Sequence, residues 1–164
     1  MDDIDKQLIT QLQEDGRKSY VEMVKQMGVS ERTVRNRLNK LLTSGAIKIA
    51  AIPNLEAFSF DFICIVAMQL QLGSLEETAK KLMSCKNICL LVRITGRYDL
   101  IAIIAARTIK EYGDIMDKIF TECKGVLRTE TFSNVHAYKG EIGGLETKQL
   151  MSSLDFPPSK KARR

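Results

Sequence analysis

One histidine, four cysteines that form no C-x-x-C pair, and no apolar run long enough to cross a bilayer set the first limits on this 164-residue chain. Each shortage removes a class of function. His136 stands alone near the end of an apolar-polar stretch, so acid–base catalysis through paired imidazoles has no second member, and no catalytic residue is expected. Cys64, Cys85, Cys89 and Cys123 lack the spacing of a zinc site or a redox motif and read as free, mostly buried thiols, with no metal and no cofactor. The longest apolar run, "FICIVAMQLQL", is too short to span a membrane. The N-terminus, "MDDIDKQ", is acidic and polar, unlike a secretory leader. A reducing cytoplasm is the expected location.

A surplus of one charge is missing too. The formal net charge is +5, with 25 Lys and Arg against 20 Asp and Glu, but Lys160, Lys161, Arg163 and Arg164 supply four of the positive charges. Any nucleic-acid binding must therefore be argued from where charges sit and not from their sum. The remaining composition, 45% hydrophobic and 27% charged, is that of a globular chain with one ordinary domain or two small ones.

What is present is strongly patterned. Ile4, Leu8, Ile9 and Leu12 recur at helical spacing, with Asp2 and Asp3 as caps and Gly16 as a stop. Ser19 and Glu22 make an S-x-x-E capping box for a second helix, in which Val21, Val24 and Met27 are expected on one face and Gly28 ends the helix in a left-handed turn. Ser30 caps a third helix whose Val34, Leu38, Leu41 and Leu42 are expected inward, with Gly45 behind it. Three helices around a tight glycine turn predict a helix-turn-helix.

The third helix carries chemistry. With about 100° of rotation per residue, Arg32, Asn36, Asn39, Lys40 and Thr43 fall opposite Val34, while Arg35 and Arg37 flank the apolar stripe. Arginine and asparagine are two-point readers of guanine and adenine edges, and lysine and arginine neutralise phosphates. Ser30, Arg32, Thr33, Arg35, Asn36, Arg37, Asn39 and Lys40 are thus the candidate contacts to double-stranded DNA. Only Glu31 interrupts the basic run.

After Gly45 the pattern changes. "AIKIAAIPNL" reads as an extended connector. From residue 60 the order is strand "FICIVAMQLQL", helix 74–85, strand "ICLLVRIT", turn "GRYD", strand "LIAIIAA", helix 108–124 and strand "VLRTETFSNVHAY". Ser74 with Glu77 and Thr108 with Glu111 predict the same capping device at both helix starts. The fold class is α+β: an all-α helix-turn-helix domain of the winged type over 1–46, a linker over 47–58, and a ferredoxin-like β-α-β-β-α-β sandwich over 59–140. A weak helix and a basic tail follow over 141–164. The middle strands are apolar on both faces, so the sheet needs a second cover, most simply a copy of itself.

Residues "IDKQLITQLQEDGRKSYVEMVKQMGVSERTVRNRLNKLLTSGAIK" resemble the DNA-binding domain of the leucine-responsive/asparagine (Lrp/AsnC, feast/famine) regulators, and "TGRYDL" matches that family's glycine–x–x–aspartate hairpin. The resemblance runs from about residue 2 to 139. It implies a transcription regulator that dimerises through the second domain, assembles further into tetramers or octamers, and responds to an amino acid or related metabolite. By the same resemblance, Gly96, Arg97, Tyr98 and Asp99, with Thr129, Thr131 and Ser133, become candidate effector contacts. Asp99 suits an ammonium, although Gly96 and Asp99 also suit a plain hairpin turn. One departure is Ser59, near the place where the family commonly has glycine. Two other readings share the layout: an architectural, chromosome-associated DNA-binding protein without an effector, and an enzyme similar to the tetrapyrrole decarboxylases of haem pathways.

Overall fold

The computed structural model describes residues 1–136 and 150–151. The chain separates into two compact units, Met1–Ala51 and Ile52–Arg164.

The first unit holds α1 (Asp3–Glu14), α2 (Tyr20–Met27) and α3 (Glu31–Thr43). Their starts are fixed by side chains that satisfy orphan N–H groups. Asp2 caps α1 and makes a capping box with Asp5, Ser19 and Glu22 do the same for α2, and Ser30 caps α3 through the N–H of Thr33. Asp3 is the first helical residue rather than a cap. Helix α1 ends at an extended Asp15, so the stop lies one residue before Gly16. Gly28 at φ +66° turns the chain sharply between α2 and α3, a conformation that costs a residue with a Cβ about 1 to 2 kcal/mol.

Leu8, Met23, Val34 and Leu41 form the buried centre of this unit. Two expected core residues lie elsewhere. Val21 is 70% exposed, because the inward face of α2 runs through Tyr20, Met23, Val24 and Met27, which step by three and four residues. Leu42 is 38% exposed, at the edge of a stripe centred on Val34, Leu38 and Leu41. The expected helix-turn-helix is present as three helices, but no strand forms in residues 1–51, so the wing expected of the winged type is absent there.

The second unit opens with a single 3-10 turn at Glu56–Phe58 and continues β1 (Phe62–Leu70), α4 (Leu75–Met83), β2 (Ile88–Arg93), β3 (Leu100–Ala106), α5 (Ile109–Glu122) and β4 (Val126–Ser133). The sheet is antiparallel in the order β2-β3-β1-β4, the ferredoxin-like arrangement. Alternation along β1 sends Cys64, Val66, Met68 and Leu70 into a core with Leu82, Met116 and Ile119 of the helices. Burial pushes the Cys64 and Cys89 thiols up to about 11, so both stay protonated at neutral pH and act as packing groups.

The matched capping of α4 and α5 is not observed. Thr108 accepts from the N–H of Glu111, whose carboxylate accepts from the N–H of Arg107. Ser74 makes no cap; its backbone is already helical and its hydroxyl donates to the carbonyls of Gln71 and Gly125. A Cβ on Gly125 would lie 2.3 Å from that hydroxyl, so glycine is what admits the approach. Glu77 turns instead to Lys81, at 2.6 Å.

Ser59 occupies the left-handed region at φ +61°. It ends the 3-10 turn and brings Leu55 and Phe60 onto Cys89, Ala105 and Leu150. Leu150 is 1% exposed in that cluster and helical with Met151. The remainder of the proposed C-terminal helix and basic tail, and the end of the last expected strand from residue 137, lie outside the described residues.

Candidate nucleic-acid interface and hairpin site

The outward face of α3 is built by the turn before it. Gly28 and the Ser30 cap set the start of the helix, and its apolar stripe seats it on Leu8 and Met23. Arg32, Asn36, Asn39 and Lys40 are exposed, and among the described residues their side chains make no hydrogen bond or ion pair. Thr33 is half-buried, with its hydroxyl 2.9 Å from that of the cap Ser30.

The three arginines separate. Arg32 stands free. Arg35 donates to Glu31 at 2.8 Å and lies 4.7 Å over the ring of Tyr20, which ties it to α2 while leaving it exposed. Arg37 turns away from the others: its guanidinium reaches Asp2, the N-cap of α1, at 2.7 Å and Asp5, on its first turn, at 3.5 Å.

In the second unit the candidate ligand residues fall into two places. Gly96, at φ +119°, begins the turn between β2 and β3. Asp99 closes it: its carboxylate accepts from the N–H of Leu70 at 2.8 Å, its own N–H donates to Met68, and its carbonyl accepts from Ile94. Asp99 thereby pins the hairpin to β1. Tyr98 donates its hydroxyl to the carboxylate of Glu130 on β4. That bond is the main cause holding the Tyr98 phenol above its ordinary value. Arg97 is exposed beside it.

Thr129, Thr131 and Ser133 pair with Met68, Val66 and Cys64 of β1 and so face the helices; the hydroxyl of Thr131 lies 2.6 Å from that of Tyr112 on α5. Glu130, opposite Ala67, faces the other way. The strand's period of two therefore divides the hairpin group from the three hydroxyls. Glu130 was missed in the sequence reading, and its only signal there was its place between two threonines.

The sheet face away from the helices is apolar. Ile65 is 42% and Phe132 51% exposed, side by side across β1 and β4. With Ile63, Ile103, Val135 and His136 they line an open groove of about 500 Å³. No helix among the described residues is long and apolar enough to cross a membrane.

A capped three-helix unit with an unengaged polar recognition face, followed by an antiparallel sheet covered by helices on one side, defines a DNA-binding protein of the helix-turn-helix class with a separate α+β domain. The AsnC-type helix-turn-helix domain model matches residues 1–42, and the Lrp/AsnC ligand binding domain model matches residues 63–141. The transcriptional regulator FL11 of Pyrococcus furiosus is 31% identical over 140 residues, which cover 85% of this chain and 92% of that one. The chain belongs to the Lrp/AsnC family of transcriptional regulators and is a DNA-binding regulator, not an enzyme.

Solved structures share the fold. Escherichia coli AsnC matches with a TM-score of 0.81 at 22% identity, over 86% of this chain and 96% of that one. A transcriptional regulator of Neisseria meningitidis, in complex with L-Met, matches with a TM-score of 0.80 at 17% identity, over 87% and 95%.

Proposed function

We propose that this regulator reads a specific DNA site through α3 and changes that binding in response to an amino acid or a related small metabolite. The observation that carries the reading is the set of unengaged side chains on one face of α3: Arg32, Asn36, Asn39 and Lys40, with Thr33 and Arg35 at its edges. Arg32, Thr33 and Asn36 occupy the first two turns, where recognition helices ordinarily meet base edges. Lys40 suits a phosphate. Domains 1–46 and 59–140 divide the work, the first for DNA and the second for ligand and assembly, with residues 47–58 between them.

The effector side rests on the ligand-binding domain match over 63–141 and on the L-Met complex of the Neisseria fold relative. The hairpin Gly96–Asp99, with Glu130 added, offers a carboxylate, a phenol and the exposed Arg97 within one polar end of the sheet. Such groups suit a zwitterion's ammonium and carboxylate. The helix-facing Thr129, Thr131 and Ser133 contribute less directly. A second copy covers the apolar sheet face, giving a homodimer that can assemble to a tetramer or octamer in the cytoplasm.

The test is fluorescence anisotropy of the full chain on an operator selected from a random-sequence pool, with and without each common amino acid. The reading expects one or a few amino acids to shift the operator affinity. They should also raise the melting temperature, since ligand at 100 times its dissociation constant adds about 2.7 kcal/mol. Tight binding with no response to any of them would instead give an architectural DNA-binding protein.

A further inference from the structure

Arg37 belongs to the basic helix by sequence but not by geometry. Its guanidinium sits against two carboxylates 32 or more residues away in the chain, Asp2 at 2.7 Å and Asp5 at 3.5 Å. Its side chain is 34% exposed and that of Asp5 only 9%. The two carboxylates are themselves interlocked, because Asp5 donates its N–H to Asp2 at 3.0 Å and Asp2 donates its N–H to Asp5 at 3.1 Å. One cation between two anions leaves a local excess of negative charge. Such a group is poorly placed to neutralise a phosphate, and well placed to hold two helices together.

The Asp2 carboxyl is held below the usual carboxylate range, by the Asp5 N–H and then by Arg37 against the opposing effect of desolvation. The other links between α1 and α3 are apolar contacts around Leu8, Val34 and Leu41. Apolar contacts fix distance well and rotation about the helix axis poorly. A directional ion pair on the flank of the stripe supplies that missing constraint.

We propose that Arg37 is a positioning residue: latched to the Asp2–Asp5 capping box of α1, it sets the rotation of α3 and hence the aim of Arg32 and Asn36 at base edges. This rests on the DNA reading above, and it has a consequence of unusual sign. Removing a negative charge beside a DNA-binding helix should strengthen binding if charge alone matters. If the latch matters, Asp2→Asn should weaken it, although asparagine still caps the helix.

The experiment measures operator affinity across a salt series for the full-length wild type, Arg37→Gln, Asp2→Asn and the double variant. It is run well below the melting temperature, with folding checked by circular dichroism, and Asp2→Ser serves as a second charge-free cap. Both single changes should weaken operator binding by about three- to tenfold. The double change should be no worse than either one, and the slope of log affinity against log salt should stay that of the wild type.

Three results would overturn the latch. One is tighter binding by Asp2→Asn and Asp2→Ser. Another is a slope lowered by about one in Arg37→Gln, the mark of a phosphate contact. The third is unchanged affinity with only a lower melting temperature. A wild type that selects no operator at all removes the DNA reading itself and the latch with it.

Discussion

Among the described residues, the polar face of α3 and the part of the sheet face around Ile65 and Phe132 both stand without partners, yet they differ in what that means. Exposed Asn36 and Lys40 are at rest in water, and nothing in their energetics demands a partner. Exposed Ile65 and Phe132 on a continuous apolar face leave hydrophobic area uncovered. The sheet face is therefore the stronger physical sign that something binds. The helix face says more about what binds, because its side chains carry the chemistry of base edges and phosphates. Energetics points to one partner and recognition chemistry to the other.

The largest expected effect lies on the sheet. Ile65→Arg places a charge opposite Phe132, and burying it in a dimer costs about 4 kcal/mol. Sedimentation should show the dimer dissociation constant raised by at least about two orders of magnitude. A variant as dimeric as the wild type would place the interface elsewhere and erase the contrast between the two surfaces.

Next comes the edge of that face closed by the chain's own Leu150. Leu150→Ala should lower stability by about 2 to 3 kcal/mol, read in a urea titration, because the side chain fills a cluster with Leu55, Phe60 and Ala105. A loss under half of that would mean the segment is laid on the sheet rather than built into it.

A smaller change should stabilise. Ser59→Gly relieves a left-handed residue at φ +61°, and thermal unfolding should show a gain of about 1 kcal/mol after the unfolded-state cost of glycine. A loss would mean that the serine side chain is worth more there than the strain.

The smallest effect is on the helix. Lys40→Ala should weaken operator and random DNA alike, by about threefold, and lower the salt slope by about one unit. A loss confined to the operator would make Lys40 a base reader.

What could be read in the sequence follows the range of the interactions. Ser19 with Glu22, Ser30 with Thr33 and Thr108 with Glu111 are bonds across three residues, and Gly28 needs only its own φ; all were legible. Ser74 was misread because its hydroxyl is drawn in part to Gly125, 51 residues on. Arg37 shows no more in sequence than Arg35 does, since its carboxylates lie at the far end of the unit. Asp99 was legible as a hairpin residue, but its bond to the N–H of Leu70 depends on the pairing of β1 with β3. The separation of the strand hydroxyls, which face the helices, from Tyr98 and Glu130 likewise required the register, because a residue's sheet face is fixed only once its partner is known.

The most direct test of the account is the Asn36→Ala variant, measured on the selected operator and on random duplex at the same salt. If α3 reads bases, the change should cost about 1 to 3 kcal/mol on the operator and almost nothing on the random duplex, with the salt slope preserved. Equal loss on both, or no loss on either, would contradict the assignment of this face as the one that reads sequence.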